Sequence, residues 1–550
     1  MSIAQVKKES DWEEPLSEAV VVSPKNKKTD LVKTSCNALL IILLGFPLFY
    51  GGKQTLAIST LSTLTFILSI FVIYKISASQ KLRSELKIGK LSRKLTVISS
   101  IFLGYVLFQS TPLPIFITKL ISPSAGEPYL NSGASFAPVS INNSSTFSSL
   151  VWLLTLFFIA LWFTSLPEKL IKTRVTSSRK KRKKEKSLLF EKCCLIDSTI
   201  EFIQRGIVFT GIFCSIIALA HLTTHTEYLF NIFNPERGRL SNIRAHWPFV
   251  NPNHLAVLIE MSLIIAIGRL LRGTQLLSIR NQNYSGRKLG LQIIRKPEKL
   301  GALVSQLICI FVLLLAGTLT LSKMGNALMW IGVILMWKGY NKFAFKPLQN
   351  ETNQTRNSKE NKIKSTLGRG FIFLFFVTIV LFFAGETGRS NLAERVEYGL
   401  AANTEQARIA LYGASLETFS SFPIFGTGLG NWGLATYSKV PSSLAGWKLD
   451  FAHNDYLQLL AETGLLGALI VFSFMFVLAK STLKAFKSEL LPTDKILLLT
   501  TSLTIALPMI HALVDFPFHI PAISLIFTVA LICHLRIVDK ILTKPLNHQK

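Results

Sequence analysis

Side chains able to do chemistry are sparse in the apolar parts of this chain. They gather in one polar stretch of about 70 residues, Ala384 to Asn454, and such length is uncommon unless the segment folds and works. The stretch carries Arg389, Arg395, Arg408, Lys439 and Lys448 against Glu386, Glu394, Glu397, Glu405, Glu417 and Asp450. Its guanidinium groups stay protonated and could hold an anion. Near its end stands His453, whose imidazole can accept or give a proton near neutral pH. Asn454 and Asp455 suit a helix start, one as a cap and the other by favouring the positive helix end. Glu462 follows Asp455 on the same helical face and could hold a basic residue in place or bridge helices. Gly426, Gly428 and Gly430 alternate in Pro423 to Trp432, where a dinucleotide fingerprint would need a preceding strand and a prompt helix. Neither is predicted, so the glycines read as a tight backbone turn. His511 and Asp515, four residues apart, offer a metal two ligands, which do not make a site, and no metal or cofactor is expected.

These groups need a frame, and the frame is a membrane. Apolar runs of about 17 to 23 residues recur along the chain, each able to cross a hydrocarbon core of roughly 30 Å. They give about twelve transmembrane helices, the first centred on Leu40 to Tyr50, the ninth on Phe371 to Phe383 and the last on Ile523 to Leu535. The connecting loops alternate between two kinds. Lys75 to Lys94, Lys169 to Lys186, Arg269 to Lys299, Lys338 to Arg369 and Lys480 to Lys495 are strongly basic, while the others, including Thr223 to Asn253 and Ala384 to Asn454, are close to neutral. Short cationic loops are retained inside, which puts both termini in the cytoplasm and Ala384 to Asn454 outside. Within that outer loop, Glu405 to Phe419 has the apolar spacing of an amphipathic helix, with Arg408 in its first turns.

Composition agrees. Of 550 residues, 60 are Lys or Arg and 31 Asp or Glu, a net charge of +29, yet charged residues make up only 17% against about 25% in soluble domains. Mean hydropathy is +0.41. The chain is therefore expected to be an all-α, polytopic integral membrane protein. A disulfide scaffold, a soluble dinucleotide-binding fold and a nucleic-acid module are excluded. The run Arg179 to Lys184 reads as a solvated, headgroup-facing segment with no nucleic acid partner. The six cysteines contain no CxxC pair, so neither disulfides nor zinc are expected. The first 34 residues are polar, with no cleavable leader pattern.

The string Ala452-His453-Asn454-Asp455-Tyr456-Leu457, with Phe422-Pro423-Ile424-Phe425-Gly426-Thr427-Gly428-Leu429-Gly430-Asn431 before it, resembles the signature of the bacterial O-antigen ligase and polymerase superfamily. The resemblance extends to Asn251-Pro252-Asn253-His254 opening a span, to Leu321-Ser322-Lys323-Met324-Gly325, and to Arg408-Ile409-Ala410-Leu411-Tyr412, covering roughly Asn251 to Gly467.

What the resemblance implies is a glycosyltransferase on the outer face of the inner (cytoplasmic) membrane, moving a glycan from an undecaprenyl diphosphate carrier to an acceptor hydroxyl. For a ligase the acceptor is a lipid A core sugar, and for a polymerase another carrier-linked repeat. His453 would orient or deprotonate the acceptor, and Arg408 would stabilise the departing diphosphate, where charge develops. Lys323 stands where the family usually shows arginine, which keeps the charge and loses the bidentate fork. Arg244 is a third candidate for phosphate contact, and Asn253, Asn454 and Glu462 complete the expected substrate-binding set. Expected partners are the carrier-linked glycan, the glycan acceptor and membrane lipid. A small-solute transporter is the reading from another class, and the few intramembrane charges, chiefly Glu260 and Glu462, argue against it. The expected division is a cytoplasmic tail at 1–34, transmembrane helices at 35–250, a ligase-like catalytic region at 251–480 that includes the outer loop 384–454, and C-terminal helices and tail at 481–550.

Overall fold

A computed structural model of the chain describes residues 27–52, 54–78, 80, 88–166, 195–224, 244–280, 297–343, 404–444 and 449–543. The chain is all-α and polytopic. In chain order its helices are α1 (Lys27–Gly45), α2 (Thr55–Ala78), α3 (Lys90–Ser110), α4 (Ile115–Ile121), α5 (Pro123–Asn131), α6 (Asn143–Ser165), α7 (Ser198–Thr224), α8 (Pro252–Arg280), α9 (Pro297–Leu319), α10 (Lys323–Phe343), α11 (Thr404–Ser421), α12 (Trp432–Thr436), α13 (Asp455–Lys487), α14 (Pro492–His511) and α15 (Pro521–Thr543). Five of them open on proline (α5, α8, α9, α14 and α15), whose fixed φ and missing N–H suit the first turn.

Among the described residues, eight helices are long and apolar enough to cross a membrane: α3, α6, α7, α8, α9, α13, α14 and α15. The expected first span, Leu40 to Tyr50, overlaps the end of α1 and the 3-10 turns that follow it, and the apolar runs Leu56 to Tyr74 and Leu328 to Trp337 fall on α2 and α10. The first two contain shorter apolar segments, Thr34–Leu48 and Thr55–Phe71. The ninth expected span, Phe371 to Phe383, lies outside the described residues, as do the run Arg179 to Lys184 and the first part of the outer loop. A two-residue antiparallel pairing, Leu113↔Ala137 and Pro114↔Phe136, closes the segment that holds α4 and α5.

The most enclosed helices are α8 and α15, with 78% and 83% of their apolar windows buried. The first packs on α7, α9, α10 and α14, and the second on α3, α6, α7 and α14. The C-terminal end of α15 binds several helix ends at once. Asp539 accepts from the backbone N–H groups of Leu91 and Ser92 at 2.7 and 3.0 Å and from the Ser92 hydroxyl at 2.6 Å, capping α3. Arg536 donates to the carbonyls of Phe163 at 2.9 Å, Thr164 at 3.2 Å and Leu166 at 2.9 Å, the open end of α6. It also pairs with Asp197 at 2.8 Å, which Lys540 reaches at 2.7 Å. These ends border the basic loops, whereas the residues singled out for chemistry lie at the other end of α15.

Helix α11 runs over the expected stretch. Its packed face is Leu411, Ala414, Ser415 and Thr418, set against α13. Ile409 and Leu416 point away, 68% and 50% exposed, so the buried stripe uses small and hydroxylated residues that an apolar-spacing argument passes over.

Candidate functional site

The site is built around a broken helix. At Gly464 the backbone of α13 turns to φ 60° and ψ −169°, a combination reserved for glycine. A Cβ at Gly464 would collide with the Ile424 carbonyl, and one at Gly426 would meet the Glu462 carbonyl. The break frees backbone groups that must be paired inside a membrane protein. The glycine turn takes them: Thr427 and Gly428 donate N–H to the carbonyls of Ala461 and Glu462, and Leu465 and Leu466 donate to Pro423 and Ile424. Tyr105 Oη seals the junction with bonds to the Phe425 and Thr463 carbonyls at 2.9 and 2.6 Å, and Gln109 Nε2 reaches Phe425 and Glu462 at 2.7 and 3.0 Å. The Glu462 side chain is fully buried. It accepts from Gly430 N at 2.9 Å, Trp432 N at 3.1 Å and Gln458 Nε2 at 3.1 Å. Its carboxylate thus holds the end of the glycine turn.

About two and a half turns before that break, α13 begins just after the histidine. Asn454 Oδ1 caps it, accepting from Tyr456 N and Leu457 N, both at 3.0 Å. Asp455 N donates to the Ala512 carbonyl at 3.0 Å. His453 itself has φ 53°, a left-handed conformation uncommon for a residue with a Cβ. Its carbonyl accepts from Tyr412 Oη at 3.1 Å, which ties it to α11. Its ring meets Phe516 edge-on at 4.7 Å between centroids. Nδ1 lies 3.3 Å from Asp515 Oδ1, an ion-pair distance without in-line hydrogen-bond geometry. The His453 side chain is 31% exposed and that of Asp515 only 2%, so a sheltered carboxylate stands behind a reachable imidazole. Burial alone would push the Asp515 carboxyl up. The contact with His453 and the charges of His254, His453 and His511 outweigh it and hold the group below the usual carboxylate range.

Two more imidazole–carboxylate pairs share this end of the bundle. His511 Nδ1 meets Glu260 Oε1 at 2.7 Å with both side chains buried. His519 Nδ1 pairs with Asp455 Oδ1 at 2.5 Å. Burial favours neutral His519, but the Asp455 charge and hydrogen bond win and raise its pKa. His511 and Asp515, which a spacing argument could send to one metal, therefore turn to different partners. Among the described residues there is no group of three His, Cys, Asp or Glu arranged to hold a metal ion.

The basic candidates occupy neighbouring helix ends. Arg244 Nε donates to the Thr320 carbonyl at 2.7 Å and Nη2 to Asn253 Oδ1 at 3.1 Å, joining the entry to α8 with the turn between α9 and α10. Lys323 is exposed at the first position of α10. Arg408 is half-buried on α11, one turn before Tyr412, and its charge moderates the upward push of burial on the Tyr412 phenol. Sequence reasoning missed Asp515 as the partner of His453 and the Asp455–His519 pair. The available signal was the polar content of Asp515 to His519 in a short turn between two apolar helices.

These features define a multi-pass helical membrane protein whose reactive groups collect at one end of the bundle, where a loop helix, a glycine turn and a broken span meet. Residues 306–472 match the family model described as O-antigen ligase, a segment running from α9 through α10, α11 and the glycine turn into α13. That match supports the resemblance to the O-antigen ligase superfamily over this segment. Arg244, Asn253 and Asp515 lie outside the matched segment. Comparison with curated proteins finds no match. With the apolar helices, the match supports a ligase- or polymerase-type, glycosyltransferase-like function in general for a multi-pass bacterial membrane protein.

Proposed function

We propose that the protein moves a glycan from undecaprenyl diphosphate to a hydroxyl of a lipid A core sugar, without a metal, on the outer face of the inner membrane. The observation that carries this reading is the pairing of reachable His453 with buried Asp515 at 3.3 Å, on a turn bonded through Tyr412 to the Arg408 helix. In this reading His453 accepts the proton of the attacking hydroxyl while Asp515 offsets the charge that forms on the ring. Arg408 stabilises the diphosphate as the glycosidic bond breaks, an effect worth roughly 3 to 4 kcal/mol of barrier for one preorganised donor. Lys323 and Arg244 add phosphate contacts, and Asn253 orients Arg244. Asn454 and Glu462 shape the substrate surface through the helix start and the glycine turn. The catalytic region is 251–480, and both termini are cytoplasmic.

The test compares His453→Ala and Arg408→Ala proteins reconstituted in nanodiscs with a carrier-linked glycan and purified rough lipopolysaccharide. His453→Ala should lower transfer by about 100- to 10000-fold while donor binding survives. Arg408→Ala should weaken both. Equal loss of donor binding in the two variants would make His453 another phosphate ligand. Extension of the carrier-linked glycan, with none delivered to the core, would make the protein a polymerase.

A further inference from the structure

His453 and Asp515 meet at 3.3 Å without in-line hydrogen-bond geometry, so the contact does not fix its own alignment. Neighbouring groups must fix it. Two residues along from His453, the first residue of α13 sends its side chain to the turn that carries Asp515: Asp455 Oδ1 pairs with His519 Nδ1 at 2.5 Å, and Oδ2 accepts from Phe518 N at 3.0 Å. We infer that Asp455 and His519 are positioning residues for the transfer, whose pair sets the register between the histidine turn and the segment 515–519 and so keeps the Asp515 carboxylate behind the His453 ring. The inference rests on the transferase reading above and adds to it two residues that act through His453 and Asp515.

Three observations support it. The first is the arrangement of residue types. Each segment supplies one imidazole and one carboxylate, His453 with Asp455 and Asp515 with His519, so the two pairs are successive rungs between the same two stretches of chain. A shift of one rung moves the other. The second is that backbone and rings join the same seam. Asp455 N donates to the Ala512 carbonyl at 3.0 Å, and a continuous run of rings links the two imidazoles: His453 to Phe516 at 4.7 Å between centroids, Phe516 to Phe451 at 4.3 Å, and Phe451 to His519 at 5.5 Å. The third is charge. Asp455 and Asp515 are both buried, and each feels the like charge of the other. Two such carboxylates stay ionised side by side only where each has its own counter-charge. His519 supplies it for Asp455, and its charge also acts on Glu462, which holds the glycine turn.

His519 is the probe, since its side chain is 26% exposed and its removal leaves no closed cavity. With a carrier-linked glycan as donor and purified rough lipopolysaccharide as acceptor, His519→Ala should lower kcat on the order of 10- to 100-fold, the cost of a displaced group, and leave both KM values unchanged. His519→Asn puts an amide donor where Nδ1 stood and should restore most of the rate. An unchanged kcat in His519→Ala would overturn the inference, and a raised KM beside it would make His519 a substrate contact instead. The decisive readout is the cycle with Asp515→Asn. Because His519 acts through Asp515, the double variant should be little slower than Asp515→Asn alone, whereas losses that multiply would make His519 independent of the pair and overturn the inference. If His519→Ala does not accumulate, Asp455→Asn keeps the shape, removes the charge and carries the same cycle with the same expectation. A second measurement needs no turnover. Diethyl pyrocarbonate modification of His453, read by mass spectrometry of its peptide at neutral pH, should become severalfold faster in His519→Ala and in Asp515→Asn alike, since the ring is released from its carboxylate. Equal modification in wild type and His519→Ala would overturn the inference. If the modification changes as expected but the wild type transfers no glycan, the positioning pair stands and the transferase reading falls.

Discussion

The Tyr412 hydroxyl donates to the His453 carbonyl at 3.1 Å, so the helix bearing Arg408 and the turn bearing the imidazole are held by one bond. That bond also steadies a backbone in the left-handed region, φ 53°, where a non-glycine residue needs its surroundings to keep it.

Tyr412→Phe removes only the hydroxyl. A neutral hydrogen bond contributes about 1 kcal/mol, and a misplaced imidazole should lower transfer about five-fold. Protein levels should stay normal. Initial rates in nanodiscs decide the matter, and an unchanged rate would mean that α11 and the turn are aligned without this bond.

Asp515→Asn keeps the shape and removes the charge behind His453. Transfer should drop on the order of 100-fold, a typical general-base contribution. Stability should change with pH as well. The folded pKa of Asp515 is depressed, so its stabilising contribution is complete above the unfolded value of about 4 and is lost as pH falls toward the folded one. Thermal unfolding in detergent should therefore fall more steeply below about pH 4 in wild type than in the Asn variant. Parallel curves would assign the acid sensitivity to other carboxylates.

Gly464→Ala should prevent accumulation of folded protein, because the added methyl meets the Ile424 carbonyl in a conformation that costs about 1 to 3 kcal/mol even without a clash. Glu462→Gln should be milder. One oxygen becomes an amide that faces backbone donors, a loss of about 1 to 3 kcal/mol, seen as a lower midpoint in thermal unfolding. Wild-type levels of the Ala variant would show that the break at Gly464 is optional.

Lys323→Arg should keep or improve transfer, and Lys323→Ala should reduce it with normal membrane levels, since arginine adds a bidentate fork to the same charge. Donor-dependent kinetics separate the outcomes. Wild-type transfer by Lys323→Ala would leave the lysine as an anchor at the membrane surface.

Much of this architecture can be read from residue order. Long apolar runs and alternating loop charge disclose the spans, and the amphipathic period discloses α11 to within a few residues. The cap at Asn454 follows from residue type and position. The break at Gly464 does not, because Gly464 and Gly467 read as positions for close helix packing and only the approach of the glycine turn makes the interruption stable. The pairing of His453 with Asp515 was also hidden. Sixty-two positions separate them, and local spacing instead suggested that Asp515 belonged with His511. Contacts between distant segments leave no periodicity, so they emerge only once α13 and α14 are packed.

The staple at the far end of α15 has a consequence for biogenesis. Asp539 caps α3, while Arg536 closes α6 and joins Asp197 ahead of α7. All three of those helices leave the ribosome before α15 does. Until it arrives, Asp197 and the open end of α6 lack the cations that serve them in the finished bundle, and the first turn of α3 lacks its carboxylate. Insertion can therefore proceed helix by helix, but the bundle is completed only when α15 docks, which makes its arrival a natural checkpoint for membrane quality control.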